Sequence, residues 1–241
     1  MSPREQNKRL LVFDDARAAC EACGARTLEL LDEARTVRGR ALLAVSGGST
    51  PRVMFEWMAA QHFDWKAIEI FWVDERCVAP DDAQSNYGMT KKALLDPIHT
   101  DSRQIHRIQG ELPPVKAAAH YREEISKVFD LALGELPVFD VIQRGMGADA
   151  HTASLFPGSP LIEDRHHIAS EMWVEKMKQD RVTLLPGVLE KARHTLCLTA
   201  GVEKKQALQD VLTGPEDLQK FPAQIGRASA IWYIDRAANG S

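Results

Sequence analysis

Short apolar runs alternate with amphipathic stretches along almost the whole chain. Arg9-Leu10-Leu11-Val12-Phe13 reads as a strand, and Asp14-Asp15 behind it can cap a helix running to about Arg35, with Leu28, Leu31 and Ala34 turned inward. Arg40-Ala41-Leu42-Leu43-Ala44-Val45 is a buried strand by its length and composition. A helical pattern follows through Val53, Phe55, Trp57 and Met58, then a strand over Ile68-Glu69-Ile70-Phe71-Trp72-Val73. The next helix holds Tyr87, Met89, Leu94 and Leu95 and is expected to end at Pro97. Ile105-His106-Arg107-Ile108 predicts a short strand. Pro113-Pro114 opens a helix whose apolar face is Ala118, Ile125, Val128, Phe129 and Ala132.

Val138-Phe139-Asp140-Val141-Ile142 predicts another buried strand. Gln179-Asp180-Arg181-Val182-Thr183-Leu184 leads to a turn and a helix from about Gly187 to Ala192. Thr195-Leu196-Cys197-Leu198-Thr199-Ala200 and Ala230-Ile231-Trp232-Tyr233-Ile234 are the last strands, with a helix starting at Gly201-Val202-Glu203-Lys204-Lys205 between them. This alternation predicts an α/β fold, Rossmann-like, with a mostly parallel twisted sheet and helices on both faces. No repeat, low-complexity tract or long linker divides the 241 residues, so one domain over 1–241 is expected.

Four polar segments leave the carboxyl ends of these strands, where open α/β sheets handle ligands. The first is Ser46-Gly47-Gly48-Ser49-Thr50-Pro51, whose small residues let backbone N–H groups and hydroxyls approach an anion. It is neither a Walker A loop nor a GxGxxG fingerprint, and a plain tight βα turn is the alternative. The second, Asp74-Glu75-Arg76, sets three charges beside a sheet. Arg76 offers a donor fork for a phosphate, a carboxylate or a developing oxyanion, and a surface ion-pair cluster is the alternative. The third runs from Gly145 to Gly158 and carries Asp149 and His151, a carboxylate able to fix the tautomer of a proton carrier; simple capping is the alternative. In the fourth, Lys204 opposes the dipole of its helix, an objection that a bound anion removes.

Composition narrows the partners. A formal net charge of −4 argues against nucleic acid or an anionic membrane, while leaving room for a local basic pocket. Met1 to Arg9 is polar with no apolar stretch behind it, and no window approaches a membrane span, so a cytoplasmic protein is expected. Four cysteines make no disulfide framework; Cys20 and Cys23 form a CxxC inside a helical pattern with no second pair. His120 and His166-His167 read as structural.

Taken together, Ser46-Gly47-Gly48-Ser49-Thr50-Pro51, Val73-Asp74-Glu75-Arg76, Ser85-Asn86-Tyr87, the Gly145–Gly158 stretch with its His151-Thr152-Ala153-Ser154-Leu155-Phe156-Pro157-Gly158 core, Arg181-Val182-Thr183-Leu184 and Gly201-x-x-Lys204 resemble the 6-phosphogluconolactonases. The resemblance runs in order over nearly the whole chain. HTASLFPG is specific, while SGGSTP is shared with the related glucosamine-6-phosphate isomerases and deaminases. It implies hydrolysis of 6-phospho-D-glucono-1,5-lactone to 6-phospho-D-gluconate in the oxidative pentose phosphate pathway, with no metal or nucleotide cofactor, by a monomer or weak homodimer. It implies His151 as catalytic base with Asp149 orienting it or the water, Arg76 at the reacting end, and Ser46, Gly47, Gly48, Ser49, Thr50, Asp74, Arg181 and Lys204 as substrate-binding residues. The alternatives are an impaired sugar-phosphate-binding relative and an isomerase or deaminase. The deaminase pattern places a carboxylate a few residues after the histidine, and Thr152 to Ile162 contains no acid.

Two departures stand out. The family has glycine where this chain has Ala150, and apolar residues at Gln143 and Arg144. Ala150 is expected at negative φ, and Arg144, at a strand end, is expected to reach solvent or a partner.

Overall fold

Two sheets meet at a single residue, Val73. The structure, a computed structural model, describes residues 9–241, so the polar stretch Met1 to Lys8 lies outside it. The chain runs β1 (Leu10–Phe13), α1 (Ala16–Arg38), β2 (Ala41–Val45), α2 (Ser49–Ala59), β3 (Ile68–Trp72) and β4 (Asp74–Arg76). It continues through α3 (Asn86–Thr90), α4 (Asp96–Ile98), β5 (Ile105–His106), α5 (Pro114–Phe129), β6 (Val141–Arg144), β7 (Ala169–Val174) and β8 (Gln179–Leu184). The last elements are α6 (Pro186–Lys191), β9 (His194–Thr199), α7 (Lys205–Thr213), β10 (Ile231–Asp235) and α8 (Arg236–Asn239). Seven strands form a parallel sheet in the order β1-β10-β9-β6-β2-β3-β5, and β4-β8-β7 form a smaller antiparallel sheet. The Val73 N–H donates to Val45 O at 2.8 Å in the large sheet, and its carbonyl accepts from Leu184 N at 2.8 Å in the small one.

The order places a switch point in the middle of the large sheet. From β2 the chain winds through β3 to β5, and from β6 it winds the other way through β9 to β10. The loops after β2 and β6 therefore diverge and leave a crevice between them.

Strand alternation covers both faces. Along β9, Leu196 and Leu198 enter the larger core while Cys197 enters a second one. Along β10, Tyr233 joins the first, and Trp232 and Ile234 the second, beneath Ala207, Leu208 and Val211 of α7. Helix α1 begins at Asp15, whose side chain accepts from Ala18 N at 2.9 Å, and stops at Gly39 in the left-handed conformation, φ 76°. It buries Leu28, Leu31 and Ala34 as expected, and both cysteines of its CxxC are buried free thiols. Fully burying each large apolar chain of this kind contributes about 1.5–3 kcal/mol. Tyr121 of α5, unremarked in the sequence, donates to Trp72 O at 2.6 Å and accepts from Trp72 N at 3.0 Å, satisfying the end of β3 beyond its short neighbour β5.

Several boundaries differ from expectation. The strand expected to end at Ile142 extends to Arg144, so Gln143 and Arg144 are interior positions. Arg144 does not reach solvent: its partner is the carbonyl of Ile225. Residues 74–76 form a strand and not a loop, because β8 offers them an antiparallel ladder. Pro97 does not end its helix. The helix continues from α3 through a π-helical turn over Lys91–Leu95 into α4, and stops one residue past Pro97, capped by His99 in the left-handed conformation. Ala132 lies beyond α5, which ends at Phe129 and is capped by Asp130, also left-handed. The strand β7 carries no alternating apolar signal, having intermediate burial over Ser170–Met172, and no element was expected there.

One buried cluster of a histidine and two carboxylates is expected to make the fold's stability depend on pH. His106 of β5 lies over Phe71, ring centroids 4.4 Å apart, with Nε2 2.7 Å from Glu69 and Nδ1 2.7 Å from Glu124. Both ring nitrogens face carboxylates, so the imidazolium is the form that donates to both. Burial opposes that charge, but the bonds to Glu69 and Glu124 outweigh it and the His106 pKa lies above its ordinary value. A raised folded-state pKa stabilises fully below the unfolded value, about 6.5, and that contribution disappears as pH rises through the folded value. Urea unfolding from neutral to mildly alkaline pH should therefore show falling wild-type stability, and His106→Gln should lack that component. Parallel curves for the two proteins would refute the assignment.

Candidate active site

The crevice at the switch point is a cleft of about 250 Å³. Ser46, Gly47, Gly48, Ser49 and Thr50 line one wall after β2, and His151 stands on the loop after β6. Asp74, Arg76 and Arg181 come from the small sheet, and Lys204 from the turn before α7. Every residue expected to be catalytic or substrate-binding thus borders this cleft except Asp149, which hydrogen-bonds His151.

The loop after β6 is held by its own backbone. Gly147 N donates to His151 O at 2.9 Å and Ala150 N to Gly147 O at 3.0 Å, while the Thr152 hydroxyl donates to Gly145 O at 3.0 Å. A Cβ on Gly147 would collide with the His151 ring, so only glycine lets the imidazole lie across the turn. Ala150 does not adopt the expected negative φ; it sits at +62°, and Ala153 at +53°. A left-handed alanine costs about 1–2 kcal/mol. Its methyl is buried in the second apolar cluster, which returns about 0.8 kcal/mol for one carbon group. Burial of the methyl therefore recovers only part of that cost.

Within the loop, His151 Nδ1 lies 2.5 Å from Asp149 Oδ1, and Lys176 Nζ donates to Asp149 Oδ2 at 2.9 Å. The bond to His151 above all, with help from Lys176 and against partial burial, holds the Asp149 carboxyl well below the usual range. In the neutral imidazole, the contact with Asp149 favours the tautomer with its proton on Nδ1 and the lone pair on Nε2. The ring is stacked on Phe156, centroids 4.3 Å apart. Lys176 and Phe156 were missed as site residues; Lys176 belongs to the unexpected hairpin, so nothing local in the sequence pointed to it.

The opposite wall is cationic. Arg76 and Arg181 are direct cross-strand partners in the small sheet. Arg181 is buried, lies 3.9 Å from Asp74 Oδ2, and its Nε has no hydrogen-bond partner among the described residues. Burial lowers its pKa, and the nearby Arg76 charge adds to that. Like charges placed directly opposite repel, and an anion between them reverses the sign. Arg76 donates to Gln84 O and likewise keeps an unpartnered Nε. Lys204 adds a third cation, with Glu203 3.9 Å away.

Buried carboxylates and amides hold these walls in place. Glu75 accepts from Asn86 N and Tyr87 N at 2.7 Å, Arg76 N at 2.8 Å and Ser85 Oγ at 3.0 Å; burial pushes its pKa up while those bonds oppose the rise. Asn86 then donates to Asp74 O at 2.8 Å and packs so close to Gly47 that a Cβ there would strike it. On the other side, Gln143 Oε1 accepts from Ser46 N at 3.2 Å.

The sequence profile described as "Glucosamine-6-phosphate isomerases/6-phosphogluconolactonase" matches residues 14–232. A 6-phosphogluconolactonase of Treponema pallidum is 37% identical over 207 residues, covering 85% of this chain and 84% of its own length. One of Nostoc sp. is 35% identical over 221 residues, covering 89% and 91%. The solved structure of 6-phosphogluconolactonase from Trypanosoma cruzi superposes with a TM-score of 0.85 at 25% identity, over 97% of this chain and 96% of the other. With the profile spanning most of the chain and those relatives alike over its length, the protein belongs to the glucosamine-6-phosphate isomerase/6-phosphogluconolactonase family.

Proposed function

We propose that this protein hydrolyses 6-phospho-D-glucono-1,5-lactone to 6-phospho-D-gluconate, the lactone-opening step of the pentose phosphate pathway, with His151 as general base. The observation that carries this reading is the imidazole fixed by an ionised carboxylate at one side of a cleft whose other walls supply three cations. The family relatives named as 6-phosphogluconolactonases support the choice of substrate.

The chemistry proceeds from those parts. Water attacks the lactone carbonyl while His151 Nε2 takes its proton, and Asp149 stabilises the imidazolium that forms. Negative charge grows on the carbonyl oxygen, where the Arg76 guanidinium serves in place of backbone oxyanion donors. The tetrahedral intermediate then expels the ring oxygen, which receives the proton back from His151. At the far end, the 46–50 loop amides and hydroxyls, Arg181 and Lys204 hold the 6-phosphate, and Asp74 keeps Arg181 in place. Binding a group remote from the reacting carbon orients the carbonyl beneath the base. The reading carries with it a cytoplasmic enzyme, without metal or nucleotide cofactor, working as a monomer or weak homodimer. Among the described residues no helix is long and apolar enough to cross a membrane.

His151→Ala should lower kcat by about 10²–10⁴-fold, the usual contribution of a general base, while 6-phosphogluconate still binds. The assay needs enzymatically generated lactone and subtraction of its spontaneous opening. Retention of more than about a third of wild-type kcat would place the base elsewhere, since even a weak base contributes more.

Lys204→Ala and Arg181→Ala should instead act on KM, because the phosphate is held equally in the ground and transition states. Charge-assisted hydrogen bonds contribute about 1.5–3 kcal/mol each, so KM should rise about ten- to a hundredfold. Unchanged KM in both variants would move the phosphate to another part of the cleft.

A further inference from the structure

Arg144 and Ala150, the two departures flanking the His151 loop, are tied to one short turn. Arg144 ends β6 just before that loop, and its side chain is fully buried. It has no carboxylate partner among the described residues; one guanidinium nitrogen donates to Ile225 O, and Nε and Nη1 have no partner there. An unpaired charge in an interior is expensive, so this placement requires a physical account. Ala150 lies left-handed six residues later, and its carbonyl accepts from Ala223 N at 2.9 Å. Ala223 and Ile225 belong to the same turn, a 3-10 turn over Pro222–Gln224 that Ile225 caps. Ala150 and Ala223 also share the second apolar cluster.

We propose that Arg144 is a positioning residue that anchors the 222–225 turn, against which Ala150 is held left-handed so that His151, bonded to Asp149, faces the cleft. The catalytic part of this inference rests on the reading of His151 as the base. A glycine at position 150 reaches positive φ without help. An alanine works against a bias of about tenfold or more, so an unsupported loop spends most of its time in other conformations. The bond from Ala223 opposes that bias, and the bond from Arg144 fixes the turn that carries Ala223. Arg144 is not among the residues that line the cleft, so its proposed effect runs through this support.

The test is a double-mutant cycle in the full chain: Arg144→Met, Ala150→Gly and the pair. Replacing a buried unpaired charge by an apolar chain is often neutral or stabilising, so Arg144→Met is expected to fold. Its kcat should fall about tenfold with KM within about twofold, because the loop, and not the phosphate grip, is loosened. Adding Ala150→Gly should restore kcat to within about threefold of wild type, since glycine no longer needs the support. Losses that multiply, or an unchanged kcat in Arg144→Met, overturn the proposal.

Hydrogen exchange supplies an arm independent of turnover. The Ala223 amide should exchange about tenfold faster in Arg144→Met while β2 amides keep their rates. Unchanged Ala223 protection overturns the proposal even if the chain hydrolyses the lactone; faster exchange upholds the support even if it does not. Should Arg144→Met fail to fold, Arg144→Lys, which keeps a donor for Ile225 O, should hold kcat within about threefold of wild type with Ala223 still protected, and an about tenfold loss of kcat with Ala223 protection intact overturns the proposal.

Discussion

Asp74 is the buried charge around which the cleft is assembled. It accepts from the Ser154 hydroxyl at 2.7 Å, from the Asn86 amide at 3.4 Å, and lies 3.9 Å from Arg181. Those partners come from the His151 loop, the start of α3 and the small sheet. A carboxylate taken out of water must be surrounded by donors, and no single segment here has enough of them. Three distant parts of the chain therefore meet at one point, and the cleft is the space left beside it. Glu75 repeats the device one residue on, gathering three backbone amides and a hydroxyl at the entry to α3.

That arrangement explains why a small antiparallel sheet is attached to a parallel one. A purely parallel sheet offers loops at its carboxyl edge, and loops alone hold charged side chains loosely. Through Val73 the chain passes from one ladder into another, so Arg76 and Arg181 project from paired strands beside the loops of the large sheet. The hairpin of β7 and β8 then brings Lys176 to the far oxygen of Asp149. Its charge also helps keep Asp149 ionised, though an exposed lysine of this kind is worth little by itself.

Much of this could be read from residue order. The alternation of apolar runs and amphipathic stretches fixes a parallel sheet, and the polar segments 46–51, 145–151 and 201–204 sit where that topology puts ligands. Residues 74–76 also border the cleft, but as a strand. What escaped were contacts made at long range. The β7 strand has mixed burial and no alternation, so its hairpin left no periodic trace. Tyr121 looked like any aromatic on a helix, yet its hydroxyl completes β3. Nothing local distinguishes His106 from the other histidines; Glu69 and Glu124 reach it from 37 and 18 residues away.

The strand carrying Gln143 and Arg144 shows why such misses cluster near the site. Four apolar positions were expected to make that strand, and Arg144 beyond it was expected to reach solvent or a partner. Both Gln143 and Arg144 lie inside, on opposite faces of the strand, and each bonds a neighbouring loop. Gln143 takes the Ser46 amide, where the glycine-rich turn leaves β2 and no strand carbonyl serves it. Arg144 takes the Ile225 carbonyl, on the segment that also bonds Ala150. Backbone groups at irregular turns must find partners when buried, and side chains from the adjacent strand are the nearest source. Polar residues at the end of a central strand are therefore best read against the turns they can reach, because those turns are the ones that aim the chemistry.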